Sequence, residues 1–166
     1  HVSCYLLENV LPAHSSEECQ HKLYNFTRKR LGAFNHYEVS NFCKSGFECR
    51  HNLKYWKNQE YIGIGLSASG FQDHKDYKND DDFTDYLKKT RQNILPVKEI
   101  NSINPVSRKI VMGLRRLKGL PISSFHSYSK ELAFLSDENL LIKVGNNIAV
   151  NPEKILLLNE ILTYFV

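Results

Sequence analysis

The 166 residues carry 22 Lys+Arg against 18 Asp+Glu, a net charge of +4, with 42% hydrophobic and 11% aromatic residues. This composition excludes a disordered chain and gives length enough for a core in one domain or two small ones, while the slight basic excess falls short of a dedicated nucleic-acid binder. No apolar run reaches the roughly 18–20 residues that cross a bilayer, and the opening residues lack the basic-then-apolar pattern of a signal peptide, so a soluble, cytoplasmic protein is the expectation.

The chain opens on His1-Val2-Ser3-Cys4-Tyr5-Leu6-Leu7, which alternates like a strand already under way. Met112 is the only methionine, and the reading is the C-terminal part of a larger protein. A loop at residues 10–14 contains Pro12. Ser15 followed by Glu18 predicts a capping box, and Cys19, Leu23, Phe26 and Leu31 then recur at helical spacing up to a stop at Gly32. Lys22, Arg28, Lys29 and Arg30 form its solvated face. His36 to Phe42 alternates as a second strand, so strand, helix, strand suggests a unit of an α/β sheet or barrel. Ser45-Gly46 marks a turn. Tyr61 to Leu66 predicts a buried strand in which Gly63 and Gly65 permit close backbone approach, and Ser67-Ala68-Ser69-Gly70 a loop of small residues. Cys4, Cys19, Cys43 and Cys49 make no C-x-x-C spacing, so neither zinc nor an iron–sulfur cluster is read from them; they are expected as small buried hydrophobes.

From Gln72 the chain turns polar and ends in Asp80-Asp81-Asp82. Three adjacent carboxylates suit a divalent cation, but Asp80 or Asp81 as N-cap of a helix holding Phe83, Tyr86 and Leu87 is the more economical account. Residues 94–104 form the linker candidate. Pro105 then opens a helix with Val106, Ile110, Val111, Leu114 and Leu117, stopped by Gly119. Ser129 to Leu135 is a second helix. Residues 140–144 and 148–150 flank Gly145-Asn146-Asn147 as a hairpin, and Asn151-Pro152 caps a final helix through Phe165. Helix, helix, hairpin, helix describes a winged-helix-like module. Arg115, Arg116 and Lys118 cluster on its first helix, but Lys130 is the only base in the second, so no nucleic acid is expected as partner.

His51-Asn52-Leu53-Lys54-Tyr55-Trp56 holds the only tryptophan. Helical geometry puts His51 and Tyr55 on one face and Asn52 and Trp56 on its neighbour. A nitrogen ligand beside two flat rings suits a planar, metal-bearing ligand such as haem. The same residues serve equally as half-buried packing, with His51 as a cap.

The stretches His1 to Glu8, Tyr37-Glu38-Val39-Ser40-Asn41-Phe42 and Gly46-Phe47-Glu48-Cys49-Arg50-His51-Asn52-Leu53-Lys54-Tyr55-Trp56 resemble the second half of the HemW family. These haem chaperones are radical SAM proteins, often labelled oxygen-independent coproporphyrinogen oxidase-like. Gly113-Leu114-Arg115 with Gly119, and Leu158 to Leu162, fit the family's tail. The resemblance implies an α+β fold: the last strands and helix of a partial (β/α) barrel over residues 1–71, a connecting helix and linker over 72–104, and the winged-helix-like domain over 105–166. It implies haem as ligand and haem-acceptor proteins, membrane-associated ones among them, as partners. A haem-binding role carries over to His51, with the iron, and to Asn52, Tyr55 and Trp56. Arg50 is added by charge as a propionate partner. For the intact protein it implies a [4Fe-4S] cluster and S-adenosylmethionine, on a C-x-x-x-C-x-x-C motif absent from this sequence. The alternative in the same family is a coproporphyrinogen III oxidase. Ser69 stands where relatives carry the histidine of G-A-H-S, and Asp76-Tyr77-Lys78-Asn79 where many carry an arginine.

Overall fold

The structure, a computed structural model, describes residues 1–5 and 16–166. Leu6, Leu7, the Pro12 loop and Ser15 therefore lie outside the described residues. Helix α1 (Glu17–Arg30) is capped by Ser16, whose Oγ accepts from the Cys19 N–H at 3.2 Å, one position after the expected cap. Its inward face also differs from the expected one. Leu23 and Phe26 are exposed, while Tyr24 is buried and donates to the Val39 carbonyl at 2.8 Å. Arg28 is not a solvated cation: its Nη1 donates to the Pro152 carbonyl at 2.7 Å. These two bonds turn the Tyr24 edge of the helix toward the C-terminal module. Of the four cysteines only Cys43 is buried.

The alternation from His36 to Phe42 folds as two strands, β2 (Asn35–Glu38) and β3 (Asn41–Cys43), and not as one. The Glu38 carboxylate breaks the run by accepting hydrogen bonds from the Asn41 side-chain amide and the Ser40 N–H, which closes a turn at Val39-Ser40. Strand β1 (Val2–Ser3) pairs with the other edge of β3, giving an antiparallel sheet of order β1-β3-β2. The strand–helix–strand order is thus met by an antiparallel sheet, in keeping with an α+β fold.

A second antiparallel sheet contains β4 (Ser69–Gln72), β5 (Lys75–Asn79) and β6 (Val97–Ser102) in that order. Asp73 and His74 join β4 to β5 with φ of 51° and 61°, the positive pair of a primed two-residue turn. Strand β4 crosses the 71/72 division, and the segment expected as linker carries β6. Nearly all of β6 is exposed, so no apolar alternation announced it; backbone pairing with β5 holds it. Conversely, the expected strand 61–66 is irregular beyond a single bridge from Tyr61 to Phe71. Side chains of β5 replace its ladder: Asn79 Nδ2 donates to the carbonyls of Gly63 (3.3 Å) and Gly65 (2.9 Å), and the Gly63 N–H donates to Tyr77 Oη (2.9 Å). A Cβ on Gly63 would sit 2.2 Å from the Ser69 carbonyl oxygen, so the expected close approach does occur there.

Helix α3 (Phe83–Arg91) is capped by Asp82, which accepts from Thr84 and Asp85 N–H at 2.8 and 2.9 Å. Asp80 pairs with Lys89 and Asp81 with Lys98, each at 2.8 Å. The three carboxylates therefore do separate jobs. Among the described residues no cluster of His, Cys, Asp and Glu is arranged to hold a metal ion.

Helix α4 (Pro105–Gly113) starts at an Asn104 cap and ends six residues before Gly119, leaving Leu117 beyond it. Helix α5 (Ser129–Asp137) follows a 3-10 turn. The hairpin of β8 (Leu141–Val144) and β9 (Asn147–Val150) turns at Gly145-Asn146, and β7 (Leu120–Pro121) adds a third strand beside β9. Asn151 caps Glu153 as expected, but the last helix begins as a 3-10 turn over 152–157 before α6 (Leu158–Thr163). The main core lies here: Ile110, Leu114, Phe125, Leu135, Leu141, Ile161 and Phe165 are essentially inaccessible. Val39 and Tyr24 pack on it from the N-terminal elements. No helix among the described residues is long and apolar enough to cross a membrane.

Candidate functional site

Helix α2 (Arg50–Trp56) is seven residues long and has no side-chain cap. So short a helix does not hold itself in water. Its ends are fixed by neighbours. Tyr37 Oη accepts the Cys49 N–H at 3.2 Å, and Asn58, in left-handed backbone just past the end, accepts from the Arg108 guanidinium.

On this frame the expected face forms. His51 Nε2 and Tyr55 Oη share a hydrogen bond of 2.5 Å, their rings meeting edge to face at 4.8 Å. Tyr61, one irregular turn later, also meets Tyr55 edge to face, with ring centroids 4.5 Å apart. His51 and Arg50 are exposed; Asn52, Tyr55 and Trp56 are half-buried.

Trp56 is engaged on a different side. Arg115 lies over its ring at 5.4 Å, and its buried Nε1 has no hydrogen-bond partner among the described residues. Glu38 Oε2 is likewise buried with no hydrogen-bond partner among the described residues. Burial drives the Glu38 carboxyl pKa above its ordinary 4.5, and the Asn41 amide, the Ser40 N–H, the Trp56 indole and Arg115 pull it part of the way back. Arg115 and Arg116 lie beyond α4, against β2: Val39 N–H donates to the Arg115 carbonyl at 2.9 Å, and Leu117 N–H to the Tyr37 carbonyl at 3.3 Å. Because the folded protein binds the Glu38 proton more tightly than the unfolded chain, its stability falls as pH rises from 4.5 through the raised value. Glu38→Gln removes that dependence. Chemical denaturation at several pH values should show the wild type losing stability relative to Glu38→Gln as pH rises, and a constant difference between the two would refute this.

A cavity of about 420 Å³ opens beside the His51–Tyr55 pair, lined by His51, Lys54, Glu60, Tyr61, Ile62 and Gln72. A second, mostly apolar trough of about 520 Å³ shares Ile62 and Gln72 with it and continues over Ile64, Tyr77, Leu95 and Ile100. The exposed isoleucines Ile62 and Ile64 stand on this trough because the 61–66 segment left the sheet. Sequence reasoning missed Lys54, Tyr61, Ile62 and Gln72. Only Lys54, one turn from His51, carried a signal that spacing exposes.

Arg108 is the buried cation behind the site. It makes a two-point ion pair with Asp76 (2.7 and 2.9 Å), donates to Asn58 and lies 3.4 Å over the Phe71 ring. One side chain of α4 thereby ties together the end of α2, β4 and β5.

No family model matches the chain. It is 31% identical over 138 residues to the heme chaperone HemW of Lactococcus lactis subsp. lactis, covering 76% of this chain and 36% of that protein. The heme chaperone HemW of Bacillus subtilis is 27% identical over 122 residues, covering 70% and 32%. A shorter match to the heme chaperone HemW of Buchnera aphidicola subsp. Schizaphis graminum reaches 51% identity over 41 residues, 25% of this chain and 11% of that protein. The chain thus spans about a third of the length of the Lactococcus and Bacillus relatives. Among solved structures, coproporphyrinogen III oxidase (HemN) from Escherichia coli, described as a radical SAM enzyme, superposes with a TM-score of 0.70 at 16% identity, over 91% of this chain and 42% of that one. At that identity the likeness shows a shared fold. A fold held in common with HemN, and sequence matches that run through both halves of the chain to proteins named heme chaperone HemW, make this a partial chain of the HemW type.

Proposed function

We propose that the chain is the haem-holding portion of a cytoplasmic haem chaperone that passes haem to acceptor proteins. The observation that carries this reading is His51, hydrogen-bonded to Tyr55, in the lining of a cavity that shares Ile62 and Gln72 with an apolar trough. The donor set fits haem as cargo. Imidazole and phenol are iron ligands, the trough offers apolar walls, and the two volumes fall within the roughly 300–1,000 Å³ of small-molecule sites. Arg50 and Lys54, both exposed and one helical turn apart, supply cations for the two propionates. Asn52 orients an edge of the macrocycle from the neighbouring face. Trp56 adds an apolar flank beside Tyr55, its ring centroid 6.2 Å away, while Arg115 lies over the Trp56 ring. Any [4Fe-4S] cluster and S-adenosylmethionine belong to sequence outside this chain, since Cys4, Cys19, Cys43 and Cys49 do not make the cluster motif.

Titration of the chain with ferric haem, followed in the Soret region, tests the reading. Saturable one-to-one uptake is expected, with loss of saturation in the double variant His51→Ala/Tyr55→Phe. Equal, non-saturating uptake by both proteins would refute it. The fold shared with HemN favours a second reading, oxidative decarboxylation of coproporphyrinogen III by the intact protein; turnover of that substrate by the cluster-loaded, full-length protein would establish it.

A further inference from the structure

The hydrogen bond between His51 and Tyr55 has a consequence for which atom meets the iron, given the haem reading above on which this inference rests. An imidazole nitrogen binds metal through its lone pair. In the Nδ1–H tautomer the Nε2 lone pair of His51 is engaged by the Tyr55 hydroxyl proton at 2.5 Å. In the Nε2–H tautomer that nitrogen has no lone pair to give, and it donates to the phenol instead. Nε2 is therefore closed to iron in both tautomers while the bond lasts. Tyr55 Oη carries two lone pairs, and at least one stays free in either arrangement. Nδ1 of His51 is open only in the Nε2–H tautomer.

We propose that Tyr55 Oη is the protein ligand to ferric haem iron, and that His51 is the positioning residue that takes its proton. As the Oη–iron bond forms, the phenolic proton passes to His51 Nε2. The iron stays ferric and no electron moves. The imidazolium so made donates a hydrogen bond back to the bound oxygen, which steadies the phenolate by a charge-assisted contact. Tyrosine is an accepted haem ligand, and an anionic oxygen suits the ferric state. Three features of the fold hold the pair for this task. The i, i+4 spacing on α2 sets the reach, the edge of the Tyr61 ring at 4.5 Å fixes the phenol, and the bond from Arg108 to Asn58 stops the helix from fraying just past Tyr55.

The test is the ferric haem titration of the full 166-residue chain, read for affinity and for the phenolate-to-iron charge-transfer absorption, in the wild type, Tyr55→Phe and His51→Ala. Phenylalanine keeps the ring packed against Tyr61, so this variant folds as the wild type does. Expected are the charge-transfer absorption in the wild type, its disappearance in Tyr55→Phe with an affinity about tenfold lower or worse, and its persistence in His51→Ala with a smaller loss. An unchanged spectrum and affinity in Tyr55→Phe, with binding abolished in His51→Ala, would overturn the assignment and leave histidine-ligated haem binding standing. Absence of saturable binding in the wild type would overturn both.

Discussion

Arg108→Ala is expected to lower the unfolding free energy by about 3 kcal/mol. The Arg108 side chain is 3% exposed and that of Asp76 26%. Removing the cation leaves a largely covered carboxylate without its counter-charge, for which losses of about 3–5 kcal/mol are usual; partial solvent access to Asp76 puts the effect at the lower end. Asn58 loses its donor, and Phe71 the guanidinium stacked on it at 3.4 Å. The drop should appear as a shift in urea midpoint with an unchanged slope. The double variant Arg108→Ala/Asp76→Asn should cost less than the two single changes added together, because it leaves no stranded charge. Simple additivity would show that the pair contributes nothing as a pair.

Phe165→Ala is expected to cost more, about 4 kcal/mol, within the range of about 3–5 for truncating a buried phenylalanine. Phe165 is fully buried one residue from the end of the sequence, with its ring edge to face on Phe125 (5.7 Å) and Tyr128 (5.5 Å). Its carbonyl accepts the Ser107 hydroxyl, so the same residue also anchors α4. Phe134, which is 46% exposed, is the control: Phe134→Ala should move the thermal midpoint by much less. Equal shifts would mean that the C-terminal ring is not packed as the structure places it.

Legibility in the sequence followed locality. Pro105 at a helix start, Asn151-Pro152, the hairpin at Gly145 and the His51–Tyr55 face were all readable, since each depends on residues close together in the chain. The His36–Phe42 run misled because Glu38, a residue that alternation assigns to the wet side, folds back on Asn41 and is wholly buried. Residues 61–66 misled for the opposite reason: their apolar alternation is real, but Tyr77 and Asn79 of β5 take over their backbone groups. The same event builds the trough, so the wall of the candidate site was unreadable wherever the strand reading was wrong. Helix α2 gave away its own face but not the walls opposite it. Those come from residues 60–62, from Gln72 and, behind them, from the pairing of Arg108 with Asp76, which no spacing rule connects.

The three sheets also differ in what it costs the chain to close them. Val144 meets Asn147 across a two-residue turn, whereas Val2 meets Phe42 across a stretch of chain that contains all of α1. Loop-closure entropy grows with the logarithm of the separation, which sets the pairing of β1 with β3 about 2 kcal/mol behind the C-terminal hairpin before any contact repays it. Strand β1 returns two ladder positions for that cost. Strand β1 is therefore the part of this sheet least repaid for its closure, whereas β2, closed on β3 by the local turn at Val39-Ser40, holds the start of α2 through Tyr37.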